Sequence, residues 1–81
     1  MSQWILYHLL SHAQSAEVRA KIVELGLEER IRFRNIGISE EATQDLIALI
    51  GRVEVPCLHV KNQFFLGREI IPILERSSGL P

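Results

Sequence analysis

The stretch that decides the fold is RVEVPCLHVKNQFFLGREIIPILE, residues 52–75. Pro56 cannot donate a ladder hydrogen bond, so it is expected at the start or edge of a strand that covers residues 56–60. Residues 61–63 form a three-residue connection of the hairpin type, and residues 64–66 form the returning strand. The stretch therefore predicts a β-hairpin that runs into a helix.

That helix is expected to begin near Arg68 or Glu69. Pro72 then falls within its first turn, where a missing N–H matters little. Residues 77–81 read SSGLP and are expected to fray.

The first half of the chain contributes two strands and a helix. Residues 4–10 are a continuous apolar run, typical of a strand buried on both faces of a parallel sheet. Ser11, with Gln14 three residues later, forms a capping box that opens a helix, and Gly26 is its natural end signal. Residues 29–36 alternate in polarity and predict a strand at a sheet edge.

A second helix is expected between Ser39 as N-cap and Gly51 as stop signal. The element order is then strand, helix, strand, helix, strand, strand, helix. The first strand, helix and second strand form a parallel unit with a right-handed crossover. The hairpin adds two antiparallel strands. We therefore expect one α/β domain over residues 1–81, with a four-stranded mixed sheet and helices on both faces.

Composition excludes several classes of protein. The 81 residues allow one domain, and a net charge of −1 gives no indication of a nucleic-acid or anionic-membrane partner. No apolar run approaches the roughly 18–20 residues that span a bilayer, so no membrane partner is expected. Cys57 is the only cysteine; together with an N-terminus that lacks signal-peptide features, it predicts a cytoplasmic protein.

The proline, hairpin, glycine and acidic residue of the opening stretch resemble the second half of a glutaredoxin. They are also similar to the first domain of glutathione transferases, which share the thioredoxin fold. The resemblance covers nearly the whole chain and implies a thioredoxin-like β-α-β-α-β-β-α arrangement. It also implies that the Val55-Pro56 peptide bond is cis and that the backbone of Val55 lies beside the turn that follows the first strand.

The resemblance places His12-Ala13-Gln14-Ser15 where a glutaredoxin keeps Cys-x-x-Cys. An imidazole cannot form the mixed disulfide on which thiol exchange depends, so the chain is expected to be redox-inactive. Weak transferase-like activity remains an alternative, with Ser11 or Ser15 donating to a glutathione thiolate. An alternative interpretation of Ser11 is that it only caps the helix. His12 has two interpretations, as a ligand contact or as a solvated loop residue.

Glutathione binding is the function that the resemblance implies. The N–H and C=O of Val55, fixed by Pro56, would pair with the cysteinyl part of the tripeptide like an added strand. Gly67, Arg68 and Glu69 correspond to the helix start that holds the γ-glutamyl end. The simpler interpretation of Glu69 is a favourable first-turn acid.

Three further features have both a functional and a structural interpretation. Cys57 is either a relocated nucleophile acting as a redox sensor or a buried inert thiol. The arginines at 30, 32 and 34 bind an acidic partner or a phosphate-rich ligand, or they guard an edge strand against aggregation. No cysteine or carboxylate spacing accompanies the histidines at 8, 12 and 59, so no metal is expected.

The alternative function is a non-enzymatic interaction module on a thioredoxin-like scaffold. A transferase would continue into an all-helical second domain where this sequence stops. The absence of that domain predicts exposed apolar surface around the first or third helix, suited to a homodimer or to a protein partner.

Overall fold

The computed structural model describes residues 4–78, so the predictions made for residues 1–3 and 79–81 lie outside the described residues. The four strands are β1 (Trp4–His8), β2 (Ile31–Asn35), β3 (Cys57–Val60) and β4 (Gln63–Leu66). The helices are α1 (Ala13–Glu24), α2 (Glu40–Ile50) and α3 (Ile70–Ser78), with short 3₁₀ turns at Glu28–Arg30 and Gly67–Glu69.

The strands form one mixed sheet in the order β2-β1-β3-β4. β1 pairs in parallel with β2, in a register that places Leu6 beside Phe33. β1 pairs antiparallel with β3, with Leu6 beside Leu58, and β3 pairs antiparallel with β4. The predicted α/β architecture with a four-stranded mixed sheet is therefore confirmed, and β2 lies at a sheet edge as its alternation predicted.

Two hydrophobic clusters lie on opposite faces of the sheet. Leu6 and Leu58 pack with residues of α1 and α3 such as Ile22 and Leu74. Tyr7 and its neighbours on the other face pack with α2. Burying each leucine or isoleucine of the first cluster stabilises the fold by about 1.5–3 kcal/mol. Helices on both faces follow from this alternation of apolar residues along β1.

The second helix follows its sequence signals closely. The Ser39 hydroxyl accepts a hydrogen bond from the N–H of Ala42 at 3.1 Å, as an N-cap does. Glu40 and Glu41 lie in the first turn, where the helix dipole favours acids. Gly51 has φ 79°, and its N–H donates to Ile47, which ends the helix as predicted.

The predicted Ser11 capping box is wrong. The N-cap of α1 is His12, whose imidazole accepts from the N–H of Ser15, while Ser11 is exposed in the preceding turn. Histidine is an uncommon N-cap, so the Ser-x-x-Gln pattern was the stronger signal in the sequence. The end of α1 is as predicted, with Gly26 at φ 69°.

Other boundaries differ from the predictions by one or two residues. β1 ends at His8 rather than at residue 10, and β3 begins just after Pro56. The hairpin connection has two residues rather than three, because Val60 pairs with Gln63 and Lys61 takes φ 54°. Residues 77 and 78, the first two of the segment expected to fray, are the last residues of α3.

Candidate functional site

Three segments that are distant in sequence meet beside the end of β1. The N–H of Gly67 donates to the carbonyl of Pro56 at 3.0 Å. A Cβ added at Gly67 would lie 3.1 Å from Oε1 of Gln14, in the first turn of α1. The start of α1, the residue before β3 and the turn before α3 are therefore in contact.

Val55 provides the open backbone at this meeting point. The Val55-Pro56 peptide bond is cis, as the resemblance implied. Val55 is half-buried and packs against the cluster on the α2 face. Among residues 4–78, neither its N–H nor its C=O makes a hydrogen bond. A partly buried amide and carbonyl without partners are suited to pairing with an extended peptide.

The turn between β1 and α1 has its polar groups satisfied internally. The N–H of Leu9 donates to the Ser15 hydroxyl at 3.3 Å. That hydroxyl lies 3.3 Å from Nδ1 of His12, which also accepts from the N–H of Ser15 at 3.3 Å. Ser15 has no exposed surface, so its hydroxyl holds the turn together and does not face a ligand.

This network determines how His12 can meet a ligand. Because Nδ1 accepts from a backbone N–H, the proton of the neutral imidazole is assigned to Nε2. His12 is half-buried. The Nε2–H group is therefore the donor that this side chain retains for a ligand.

A second polar contact links α1 to the same turn. Arg19 donates from Nη1 to Nδ1 of His8 at 3.1 Å and to the carbonyl of Leu9 at 3.2 Å. Its Nη2 donates to the carbonyl of Leu10 at 3.3 Å. Burial, followed by the charge of Arg19, lowers the pKa of His8 from its ordinary value of 6.5. His8 is therefore a neutral side chain that anchors the turn.

The turn at Gly67–Glu69 differs in one respect from its predicted role. Arg68 and Glu69 are both exposed. Oε1 of Glu69 accepts from the N–H of Leu66 at 3.3 Å. One carboxylate oxygen is thus engaged as a cap, which agrees with the simpler interpretation of a first-turn acid.

Cys57 has the environment of an inert thiol. It has no exposed surface and lies in the cluster on the α2 face. Burial, with a smaller contribution from Glu54, raises the pKa of the thiol to about 11. A protonated and inaccessible thiol does not act as a nucleophile at neutral pH.

The sequence interpretation missed three residues that shape this region. Gln14 was assigned to a capping box, yet its side chain packs beside Gly67. His8 was considered only within the first apolar run and as a metal ligand, and Arg19 was given no role, yet their side chains are in contact. His8 and Arg19 are eleven residues apart in sequence, so no local sequence pattern predicts their contact.

The described residues hold no group of three or more metal-binding side chains. Within the same range, no helix is both long and apolar enough to cross a membrane. Comparisons with protein-family models, with curated proteins and with solved structures found no significant match.

Proposed function

We propose that this chain is a thioredoxin-like, glutaredoxin-type domain that binds glutathione without catalysing thiol exchange. The order of its helices and strands supports the fold assignment. So does the pairing of a parallel β1-β2 unit with an antiparallel hairpin. The proposed site consists of His12, Val55, Pro56 and the turn from Gly67 to Glu69.

The observation that carries the proposal is the backbone of Val55, whose amide and carbonyl have no hydrogen-bond partner among residues 4–78. The cysteinyl residue of glutathione pairs with these two groups as a short added strand. Because this contact uses only the main chain, it does not depend on the cysteines that the motif position lacks.

The two ends of the tripeptide meet side chains in this proposal. The γ-glutamyl carboxylate lies near the exposed guanidinium of Arg68 and the start of α3. The γ-glutamyl ammonium meets the carboxylate of the exposed Glu69. His12 donates from Nε2 to the sulfur. Ser15 takes no part, since it is fully buried, and the proposal assigns no contact to Ser11, which lies in the exposed turn ahead of the helix.

Thiol exchange is not part of the proposal, because both residues that would be required are unsuitable. His12 occupies the first motif position and cannot form a disulfide. Cys57 is buried, and the pKa of its thiol is about 11. The chain binds the tripeptide and leaves its sulfur unchanged.

The test is a titration of ¹⁵N-labelled protein with reduced glutathione, followed through backbone amide shifts. We expect shifts at residues 12–15, 55 and 67–69. S-methylglutathione, which lacks a thiol proton, should produce the same pattern. Triglycine serves as the control ligand without a γ-glutamyl group. No shifts up to about 10 mM, corresponding to binding weaker than roughly −3 kcal/mol, would rule out the proposal.

A pair of variants separates the proposed contacts from general charge effects. Arg68→Ala should weaken glutathione binding about threefold or more, since it removes a charged contact. Arg76→Ala makes the same change at an exposed arginine in the last turn of α3 and should leave the affinity unchanged. Val55→Ala should also leave it unchanged, because the proposed contact uses the backbone.

A second candidate function is supported by a groove of about 460 Å³ beside α3. Its apolar wall includes Trp4, Phe65 and Ile73. Such a surface agrees with the alternative of a self-associating interaction module. Sedimentation velocity at increasing protein concentration tests it. A species that stays monomeric throughout would exclude self-association through this groove.

A further inference from the structure

The outer edge of β2 is open in the part of the chain that the structure describes. The N–H of Ile36 donates to the carbonyl of His8 at 3.0 Å, and backbone direction alternates along a strand. The N–H and C=O of Phe33 therefore point away from β1, and so does the N–H of Asn35. β2 has a neighbour on one side only. The edge thus offers main-chain donors and an acceptor to an added strand.

Among the residues that the structure describes, two of the three arginines along this edge have no ion-pair partner within 4 Å. Arg30 and Arg32 are exposed and form no ion pair among residues 4–78. Arg34 differs, because its guanidinium is bound to Asp45 and lies 3.9 Å from Glu41. Arg30 and Arg32 are therefore available to form ion pairs with carboxylates of an added strand.

A shallow groove of about 390 Å³ lies at the end of the same edge. Its lining includes Phe33 and Ile38, which are 37% and 84% exposed, beside Arg32. The Phe33 ring is held in an edge contact with His8, with ring centroids 5.7 Å apart. An apolar side chain of a bound strand could pack against the Phe33 ring at this position.

We propose that the outer edge of β2 binds an extended acidic peptide as a fifth strand. Carboxylates of the peptide lie beside Arg30 and Arg32, and an apolar residue packs between Phe33 and Ile38. Side chains of a strand alternate between faces. The peptide therefore alternates acidic residues, for the arginine-bearing face, with apolar residues for the face of Phe33.

Charge argues against a second copy of this chain as the occupant. An antiparallel pair of β2 strands that keeps the sheet faces matched places Arg32 opposite Arg32 or Arg34, or places Arg34 opposite Arg34. Like charges directly opposite each other are destabilising. The arginines therefore disfavour pairing of β2 with the β2 of a second copy and favour a strand of opposite charge.

The experiment uses a fluorescent peptide of alternating glutamate and valine, with a lysine-valine peptide of the same length as control. We expect anisotropy to rise with the acidic peptide only, and amide shifts to fall on residues 31–35. Arg32→Glu should weaken binding of the glutamate-valine peptide about three- to tenfold. The same variant should bind the lysine-valine peptide, which the original protein is not expected to bind. Arg76→Glu makes the same charge change elsewhere and should alter neither.

The main-chain part of the proposal has its own test. An acidic peptide that is N-methylated at every residue keeps its charge but has no N–H group with which to pair with a strand edge. We expect its binding to be lost. Equal binding by the methylated peptide, equal binding by the lysine peptide, or shifts that avoid residues 31–35 would each overturn the proposal. So would concentration-dependent dimerisation that Arg32→Glu strengthens, since that result identifies a second copy as the occupant.

Discussion

At the turn before α1, polar side chains and backbone groups bond to one another, whereas at Val55 the backbone amide and carbonyl have no partner among residues 4–78. Both regions belong to the site that we propose for glutathione. The first contains Ser15 with no exposed surface, and the second is half-buried. The difference teaches that polar groups bonded to one another make a turn a structural support, while a neighbouring main-chain segment can keep its amide and carbonyl open.

The largest expected effect tests whether any thiol chemistry remains. Cys57 should react with a disulfide reagent about a hundredfold more slowly in the folded protein than in urea. The reason is that its thiol is buried and has a pKa of about 11. The measurement is the labelling rate at mildly alkaline pH, with Cys57→Ser as the blank. Equal rates in the two conditions would contradict the inert-thiol interpretation.

The next largest effect concerns how much the hydrogen bonds in the turn before α1 contribute to the stability of the fold. Ser15→Ala should lower the free energy of unfolding by about 1–3 kcal/mol, because it leaves the partly buried N–H of Leu9 without an acceptor. Ser11→Ala is the matched control at an exposed hydroxyl and should change stability by less than about 0.5 kcal/mol. Urea unfolding measures both variants. A larger cost at Ser11 would restore the predicted capping box.

A smaller effect is expected at the N-cap itself. His12→Ala should cost about 1 kcal/mol of unfolding free energy, since the N–H of Ser15 loses its acceptor. His12→Asn keeps an acceptor at the same position and should stay within about 0.5 kcal/mol of the original protein. If both variants were equally destabilised, the imidazole would stabilise the turn by packing rather than by capping.

The smallest effect is a pH dependence that originates at His8. Burial and Arg19 lower its folded pKa below the ordinary value of 6.5. As pH falls through 6.5, the unfolded chain therefore binds the proton first, and the free energy of unfolding decreases until the folded pKa is passed. Urea unfolding as a function of pH should show this slope, and His8→Gln should flatten it. His59→Gln is the control and should retain the slope.

Much of the fold could be predicted because local signals agreed with the tertiary structure. Alternation over residues 29–36 predicted an edge strand, which the structure has at Ile31–Asn35, and the serine and glycine that flank α2 mark both of its ends. The end of β1 was less exact because Leu9 and Leu10 continue the apolar run past the last ladder pair. The hairpin was less exact because the polar Gln63 belongs to β4 and pairs with Val60. Local patterns indicate where an element lies better than where its pairing ends.

The candidate site was less predictable, because its contacts join residues far apart in sequence. The contact of Gln14 with Gly67 and the contact of Arg19 with His8 depend on how α1 packs, which no local spacing encodes. The cis bond at Val55-Pro56 was expected from the resemblance alone. The burial of Ser15 follows from the direction in which the turn brings the chain onto the sheet.

The position of the only tryptophan has a practical consequence for ligand assays. Trp4 is at the start of β1 and packs with the cluster that involves α1 and α3. Val55 lies beyond the opposite end of that strand, about 13–16 Å away at 3.3 Å per residue. Intrinsic fluorescence therefore reports whether the core is folded and is insensitive to direct contact at Val55. A bound tripeptide becomes visible to Trp4 only as a higher melting temperature.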